Sequence, residues 1–201
     1  MAKLMSSFLI LGSLLAVSIA AVPALQAADA SQASVTSELT TPKQRLDTLF
    51  AELKRERTPD KAREISDRIR IEWQDSGSAS VNLLMQWAAK AMEANRQATA
   101  LDVLDQVIAL SPQYVEGWNQ RATLHYQMGN FRKSMSDINR VLAIEPRHFG
   151  ALAGMAAILT AAGKDELALR AWEQFLDIYP ADRKAQEQLG ELEEKLAGNR
   201  T

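Results

Sequence analysis

Residues 115–148 read VEGWNQRATLHYQMGNFRKSMSDINRVLAIEPRH, and this stretch decides the fold. Gly129 divides it into two segments with apolar residues at helical spacing, and Pro146 ends the second segment. Glycine closes a helix because it adopts the left-handed backbone conformation easily, whereas proline cannot continue a helix. The stretch therefore predicts a pair of short helices joined by a tight turn.

The same pattern occurs 34 residues before and 34 residues after this stretch. Each period repeats a breaker proline, a turn residue and two columns of small residues that let helix backbones approach closely. The columns are Pro112, Pro146 and Pro180; Asn95, Gly129 and Gly163; Ala88, Ala122 and Ala156; and Ala100, Ser134 and Ala168. A single pair cannot bury its apolar face alone, so we expect consecutive pairs to stack into a solenoid.

The period and its columns resemble the tetratricopeptide repeat (TPR). The residues that carry the resemblance most clearly are Trp118, Ala122, Gly129, Phe131, Ser134 and Pro146. The predicted fold is all-α: an antiparallel helix-hairpin solenoid, or TPR-like superhelix, with an N-terminal helical pair and a C-terminal capping helix. The predicted ranges are 41–75 for the N-terminal pair, 81–114, 115–148 and 149–182 for the three repeats, and 183–197 for the capping helix.

The N-terminal pair begins each of its two helices with a Thr-Pro step, at Thr41 and at Thr58, which is typical of a helix start. Ala62 and Ile69 fit the repeat spacing, but no breaker proline ends the pair. Whether this pair is a divergent additional repeat stays open at this point.

The N-terminus predicts a cleaved signal peptide over residues 1–27. Lys3 precedes an apolar run that ends at Pro23, and small residues follow up to Ala27. Residues 28–40 are small and polar, and we expect them to form a flexible leader. The product is expected in the periplasm or outside the cell; contact with a membrane is expected only if residues 1–27 stay uncleaved as an anchor.

The composition argues against several classes of protein. The chain has 201 residues and a formal net charge of −2, which disfavours a nucleic-acid-binding protein. It has two histidines and no cysteine, so disulfides and thiol catalysis are excluded and no metal site is expected. Motifs for a serine nucleophile, a phosphate-binding loop or a zinc protease are not found, and the carboxylates are predicted on polar faces. We therefore expect no cofactor, no small-molecule substrate and no enzymatic activity.

The resemblance implies that the first helix of each repeat lines a concave groove that binds peptides or protein segments. Carried onto this sequence, the groove residues are Asn82, Met85 and Met92; Glu116, Asn119, Thr123, Tyr126 and Gln127; and Ala153 and Ala157. Some family members hold a C-terminal carboxylate with Lys and Asn where this chain has Met85 and Ala89, so that mode of binding is disfavoured.

The function expected from these features is a non-enzymatic scaffold or adaptor outside the cytoplasm, whose groove binds a peptide or helix of another protein. The alternative is a periplasmic assembly factor, similar to chaperone-like repeat proteins of envelope or cytochrome maturation, and held by an uncleaved N-terminal helix.

Aromatic side chains and histidines are interpreted as structural. The tryptophans Trp73, Trp87, Trp118 and Trp172 are in phase with apolar columns, so we expect them in the core. His125 is interpreted as a helix-packing histidine with a satisfied nitrogen, and His148 as an exposed residue in the first turn of a helix. Gly150 and Gly154 lie inside a predicted helix, where they either allow close packing or leave room for a ligand.

Overall fold

The computed structural model describes residues 41–198, and within that range the chain is built from α-helices and turns without a β-strand. The helices of this range are α1 (Pro42–Arg55), α2 (Pro59–Gln74), α3 (Ala79–Glu93), α4 (Gln97–Leu110), α5 (Val115–Gln127), α6 (Phe131–Ile144), α7 (Phe149–Ala161), α8 (Asp165–Ile178) and α9 (Arg183–Gly198). The prediction of an all-α helical repeat fold is confirmed. The predicted signal peptide at 1–27 and leader at 28–40 lie outside the described residues.

Three helix pairs, α3–α4, α5–α6 and α7–α8, follow one another along the stack. The second helix of each pair packs against the first helix of the next, so that α4 contacts α5, α6 contacts α7, and α8 contacts α9. This nearest-neighbour contact is the arrangement expected of a solenoid.

The turn inside each pair has the predicted left-handed residue. The backbone angle φ is 54° at Asn95, 72° at Gly129 and 68° at Gly163. The small residues lie where the two helices of a pair cross: Ala122 is 3% exposed, and the hydroxyl of Ser134 donates a 2.8 Å hydrogen bond to its carbonyl oxygen. The small residues Ala122 and Ser134 thus lie at the contact between the two helices of their pair.

The N-terminal pair α1–α2 packs against the second and third repeats. The guanidinium of Arg147 pairs with Asp47 at 2.8 Å and lies over the ring of Phe50, with 4.2 Å between Cζ and the ring centroid. The hydroxyl of Tyr114 donates a hydrogen bond to the carbonyl oxygen of Gln74 at 2.9 Å. Helix α1 contacts α8 and α2 contacts α5, so the pair is not stacked before α3 as a further repeat would be.

The last helix, α9, covers the outer side of α8 with Ala185 and Leu192 buried. An ion pair between Lys195 and Asp165, at 2.8 Å, joins the two helices. No helix between residues 41 and 198 combines the length and the apolar character that crossing a bilayer requires.

Candidate binding cleft

A cavity of about 670 Å³ opens between α2 and the first helices of the three repeats. We call it cavity 1. Its α2 side consists of Arg70, Ile71, Trp73 and Gln74, and its floor and far side come mainly from Asn82, Met85, Gln86, Ala89, Met92, Glu116, Asn119, Gln120, His148 and Phe149. The cavity therefore has an amide-rich and partly apolar lining that depends on the docked N-terminal pair.

A smaller cavity of about 220 Å³, cavity 2, adjoins cavity 1, because Asn119 and Gly150 line both. Its other lining residues are mostly small or apolar: Ala122, Thr123, Tyr126, Ser134, Ile138, Ala151, Gly154 and Ala157. A Cβ atom added to Gly154 would lie 3.3 Å from Cδ1 of Ile138, so the glycine both packs closely and keeps cavity 2 open. Together the two cavities form one cleft across the repeats.

The structure brings most of the predicted groove residues to this cleft. Cavity 1 holds Asn82, Met85, Met92, Glu116 and Asn119, and cavity 2 holds Asn119, Thr123, Tyr126 and Ala157.

Two of the predicted groove residues, Gln127 and Ala153, line neither cavity. Gln127 is exposed at the end of α5, one residue beyond Tyr126 and therefore about 100° further around the helix. Ala153 is half-buried and packs against the hydrophobic core. These two residues therefore lie outside the cleft formed by cavities 1 and 2.

His148 is buried and not exposed as predicted, with 2% of its surface accessible. The ring of Trp73 stacks on it at a centroid distance of 4.1 Å. Its Nδ1 accepts a 3.0 Å hydrogen bond from the backbone N–H of Ala151 and so caps α7. Because Nδ1 is an acceptor, the proton is assigned to Nε2, which donates to Glu116 Oε1 at 3.0 Å.

The carboxylate of Glu116 is also buried, although the sequence placed the carboxylates on polar faces. Burial acts to raise its pKa, but hydrogen bonds from His148 and from Asn119, the latter at 2.9 Å, outweigh burial and lower the pKa overall. Both ring nitrogens of His148 are thus hydrogen-bonded within the protein.

A second buried carboxylate, Asp137, binds Arg121 through two hydrogen bonds of 2.7 and 2.9 Å. The same guanidinium reaches Asp105 on α4 at 2.6 Å and so ties the first repeat to the second. These hydrogen bonds raise the pKa of Arg121 above its ordinary value. Across residues 41–198, no three histidine or acidic side chains come together as ligands for a metal ion.

The expectation for Trp87 is wrong, and that for His125 agrees with its burial but not with the state of Nδ1. Trp87 is 51% exposed, because the face of α3 that carries it has no helix packed on it, whereas Trp73 and Trp172 are buried. His125 is buried, but its Nδ1 has no hydrogen-bond partner among the described residues, and burial lowers its pKa.

Helix α2 contributes to the cleft residues that the repeat pattern does not predict. Arg70, Ile71 and Gln74 line cavity 1, although they lie outside the repeats. The one signal that pointed to them was Trp73, a large aromatic residue at the end of an amphipathic helix that needs an apolar surface to bury it.

No family model matches the sequence. Over 160 residues the chain is 69% identical to a TPR repeat-containing protein of Rhizobium etli, which covers 80% of this chain and 78% of that protein. Solved structures with the same fold include the first TPR of Spaghetti (RPAP3) bound to the HSP90 peptide SRMEEVD, with 21% identity and a TM-score of 0.55 over 58% of this chain and 93% of that one. The Sgt2 TPR domain from Aspergillus fumigatus is 16% identical with a TM-score of 0.56, over 62% of this chain and 84% of that one. The MamA protein is 16% identical with a TM-score of 0.53, over 75% of this chain and 82% of that one. Because its helix pairs repeat and because it is 69% identical to the TPR protein of Rhizobium etli, the chain belongs to the TPR family of proteins.

Proposed function

We propose that this protein is a non-enzymatic binding module outside the cytoplasm, which holds a peptide segment or helix of another protein in the cleft. The observation that carries the proposal is the continuity of cavities 1 and 2 across all three repeats, through the shared residues Asn119 and Gly150. A TPR domain of similar fold, from Spaghetti, has been solved with an HSP90 peptide bound. The fold is thus one that is compatible with peptide binding.

The chemistry of cavity 1 suits an extended polypeptide. The carboxamides of Gln86, Asn119 and Gln120 each combine donors and an acceptor, which match the N–H and C=O groups of a peptide backbone. Met85 and Met92 add an adaptable apolar surface for side chains of the bound segment.

Cavity 2 suits one apolar side chain or one turn of a helix. Its walls include the small residues Ala122, Gly154 and Ala157, and its volume of about 220 Å³ lies between α5, α6 and α7 and opens to solvent. An apolar anchor in such a pocket supplies much of the affinity of a typical interface.

A free C-terminal carboxylate is not the ligand that this cleft favours. Met85 and Ala89, which line cavity 1, carry no positive charge and no amide at the positions of a carboxylate clamp. The acidic Glu116 lines the same cavity and would repel a second carboxylate. An internal segment of a partner fits the cleft better.

The test uses a library of displayed peptides and the variant Ala157→Leu, which fills cavity 2. The matched control is Ala143→Leu, since Ala143 is exposed on α6 and lines neither cavity. We expect peptides selected by the wild type to lose at least about tenfold in affinity to Ala157→Leu and to bind the control unchanged. Equal binding to all three proteins, with equal helical circular dichroism, would contradict the proposal.

The proposed location rests on the pattern of residues 1–27. N-terminal sequencing of the protein recovered from cell fractions tests it. A chain that starts at Ala28 or a few residues later, in the periplasm or the medium, agrees with the proposal. A membrane-bound chain that keeps residues 1–27 contradicts it and favours the anchored assembly factor.

A further inference from the structure

Helix α3 and its C-cap residue carry a stripe of four residues on the face opposite the cleft, which we call the edge stripe: Leu83, Trp87 and Lys90 in the helix and Ala94 at the C-cap. Their spacing places them on one side of the helix. Leu83 is 45% exposed and Trp87 is 51% exposed, and the other two are exposed as well. Two large apolar side chains thus face solvent at the N-terminal edge of the stack.

The equivalent positions in the next repeat form a packing surface. A Cβ atom on Gly117 would lie 2.8 Å from Cγ1 of Val107 on α4. Arg121 binds Asp105 of the same helix at 2.6 Å, and Leu124 is 1% exposed. The stripe is therefore the stacking face of a repeat, and in the first repeat no preceding helix covers it.

A regular repeat does not fit on the edge stripe. Where the second repeat has Gly117, with too little space even for a methyl group, the first repeat has Leu83. Head-to-tail stacking of two chains is also disfavoured, because it would bring the exposed carboxylates of α9 (Glu191, Glu193 and Glu194) against the apolar Leu83 and Trp87. The partner of the stripe must accept protruding side chains.

We propose that the edge stripe binds the edge stripe of a second copy of this chain, with the two α3 helices antiparallel about a two-fold axis between Trp87 and Lys90. In this register Leu83 of one copy meets Ala94 of the other, a large residue opposite a small one. The ammonium of Lys90 meets the indole of Trp87, which is a favourable cation–π pair. The stripe is thus complementary to itself, as closed two-fold dimers require.

Analytical ultracentrifugation over a range of concentrations, up to about 1 mM, measures the dimer. We expect a concentration-dependent dimer whose dissociation constant rises at least about tenfold in Trp87→Glu and also rises in Lys90→Glu. The matched controls are Leu167→Glu, at a leucine of α8 that is 42% exposed, and Lys184→Glu on α9. A wild type that stays monomeric throughout, or a dimer that tolerates both stripe variants, overturns the proposal.

The register has its own test, because the chain contains no cysteine. Leu83→Cys and Ala94→Cys are oxidised separately and as a mixture. The proposed register predicts disulfide-linked dimers in the mixture and few in either variant alone. Cross-linking of each variant with itself at the same yield as in the mixture overturns the antiparallel register.

Discussion

Trp73→Ala removes the side chain through which α2 is docked on the repeats. Trp73 is 5% exposed, and its ring contacts Phe50 at 5.8 Å, Phe149 at 5.1 Å and His148 at 4.1 Å between centroids. Its indole N–H has no hydrogen-bond partner among residues 41–198, so the substitution loses packing without losing a hydrogen bond.

The cost follows from the buried area. A tryptophan buries about 150–250 Å². At about 25 cal/mol per Å² this corresponds to roughly 4–6 kcal/mol. Removal of an unpaired buried N–H returns about 1–3 kcal/mol. The net loss of about 3 kcal/mol falls on the docking of α1 and α2, whose lengths of 14 and 16 residues are marginal for helices in isolation.

Hydrogen–deuterium exchange with mass spectrometry reads this loss by region. We expect the amides of α1 and α2 to exchange about 100-fold faster in Trp73→Ala, while α5 to α8 stay protected. Trp87→Ala, measured where the chain is monomeric, is the control, because that tryptophan is half exposed. Unchanged exchange in α1 and α2, or an equal effect of the two substitutions, would refute the reasoning.

Three further predictions concern stability. Gly117→Ala should cost about 1–3 kcal/mol by chemical denaturation, because its Cβ meets Val107 at 2.8 Å, while Gly190→Ala, in open space on α9, should gain up to about 1 kcal/mol. The folded-state pKa of Glu116 is lowered from its ordinary 4.5, so its charge stabilises the fold above that pH and the contribution is lost as pH falls. The melting temperature should therefore fall less between about pH 7 and about pH 3 in Glu116→Gln than in the wild type. Asn95→Gly should gain about 0.5 kcal/mol by chemical denaturation, because φ at that residue is 54°, in the left-handed region that glycine adopts more easily than asparagine.

The repeats were predictable because their residues report on neighbours close in sequence. Ala122 must be small where the helices of one pair cross, and Gly129 must reach a positive φ within a single turn. Both requirements recur with the period of 34, so each copy supports the interpretation of the others. The same logic placed most of the cleft residues, since each first helix presents one face to the groove.

The rest depends on contacts that no local pattern encodes. The ion pair of Arg147 with Asp47 joins residues 100 positions apart. The stacking of Trp73 on His148 likewise depends on the docking of α1 and α2 on the repeats. Because the sequence predicts the pair but not where it docks, it places His148 in solvent and assigns no part of the cleft to α2. Trp87 shows the opposite case. Its equivalent position in the second repeat packs against the preceding helix α4, whereas no helix precedes α3 in the stack, so Trp87 is exposed.

Methyl NMR of the methionines tests the central proposal, binding of a peptide in the cleft, most directly. Met85 and Met92 line cavity 1, whereas Met135 and Met155 pack against the core and line neither cavity. During titration with a peptide selected from the displayed library, we predict that the methyl signals of Met85 and Met92 shift and that those of the other two stay in place. Shifts confined to Met135 and Met155, or a bound peptide that leaves Met85 and Met92 unmoved, would contradict the account.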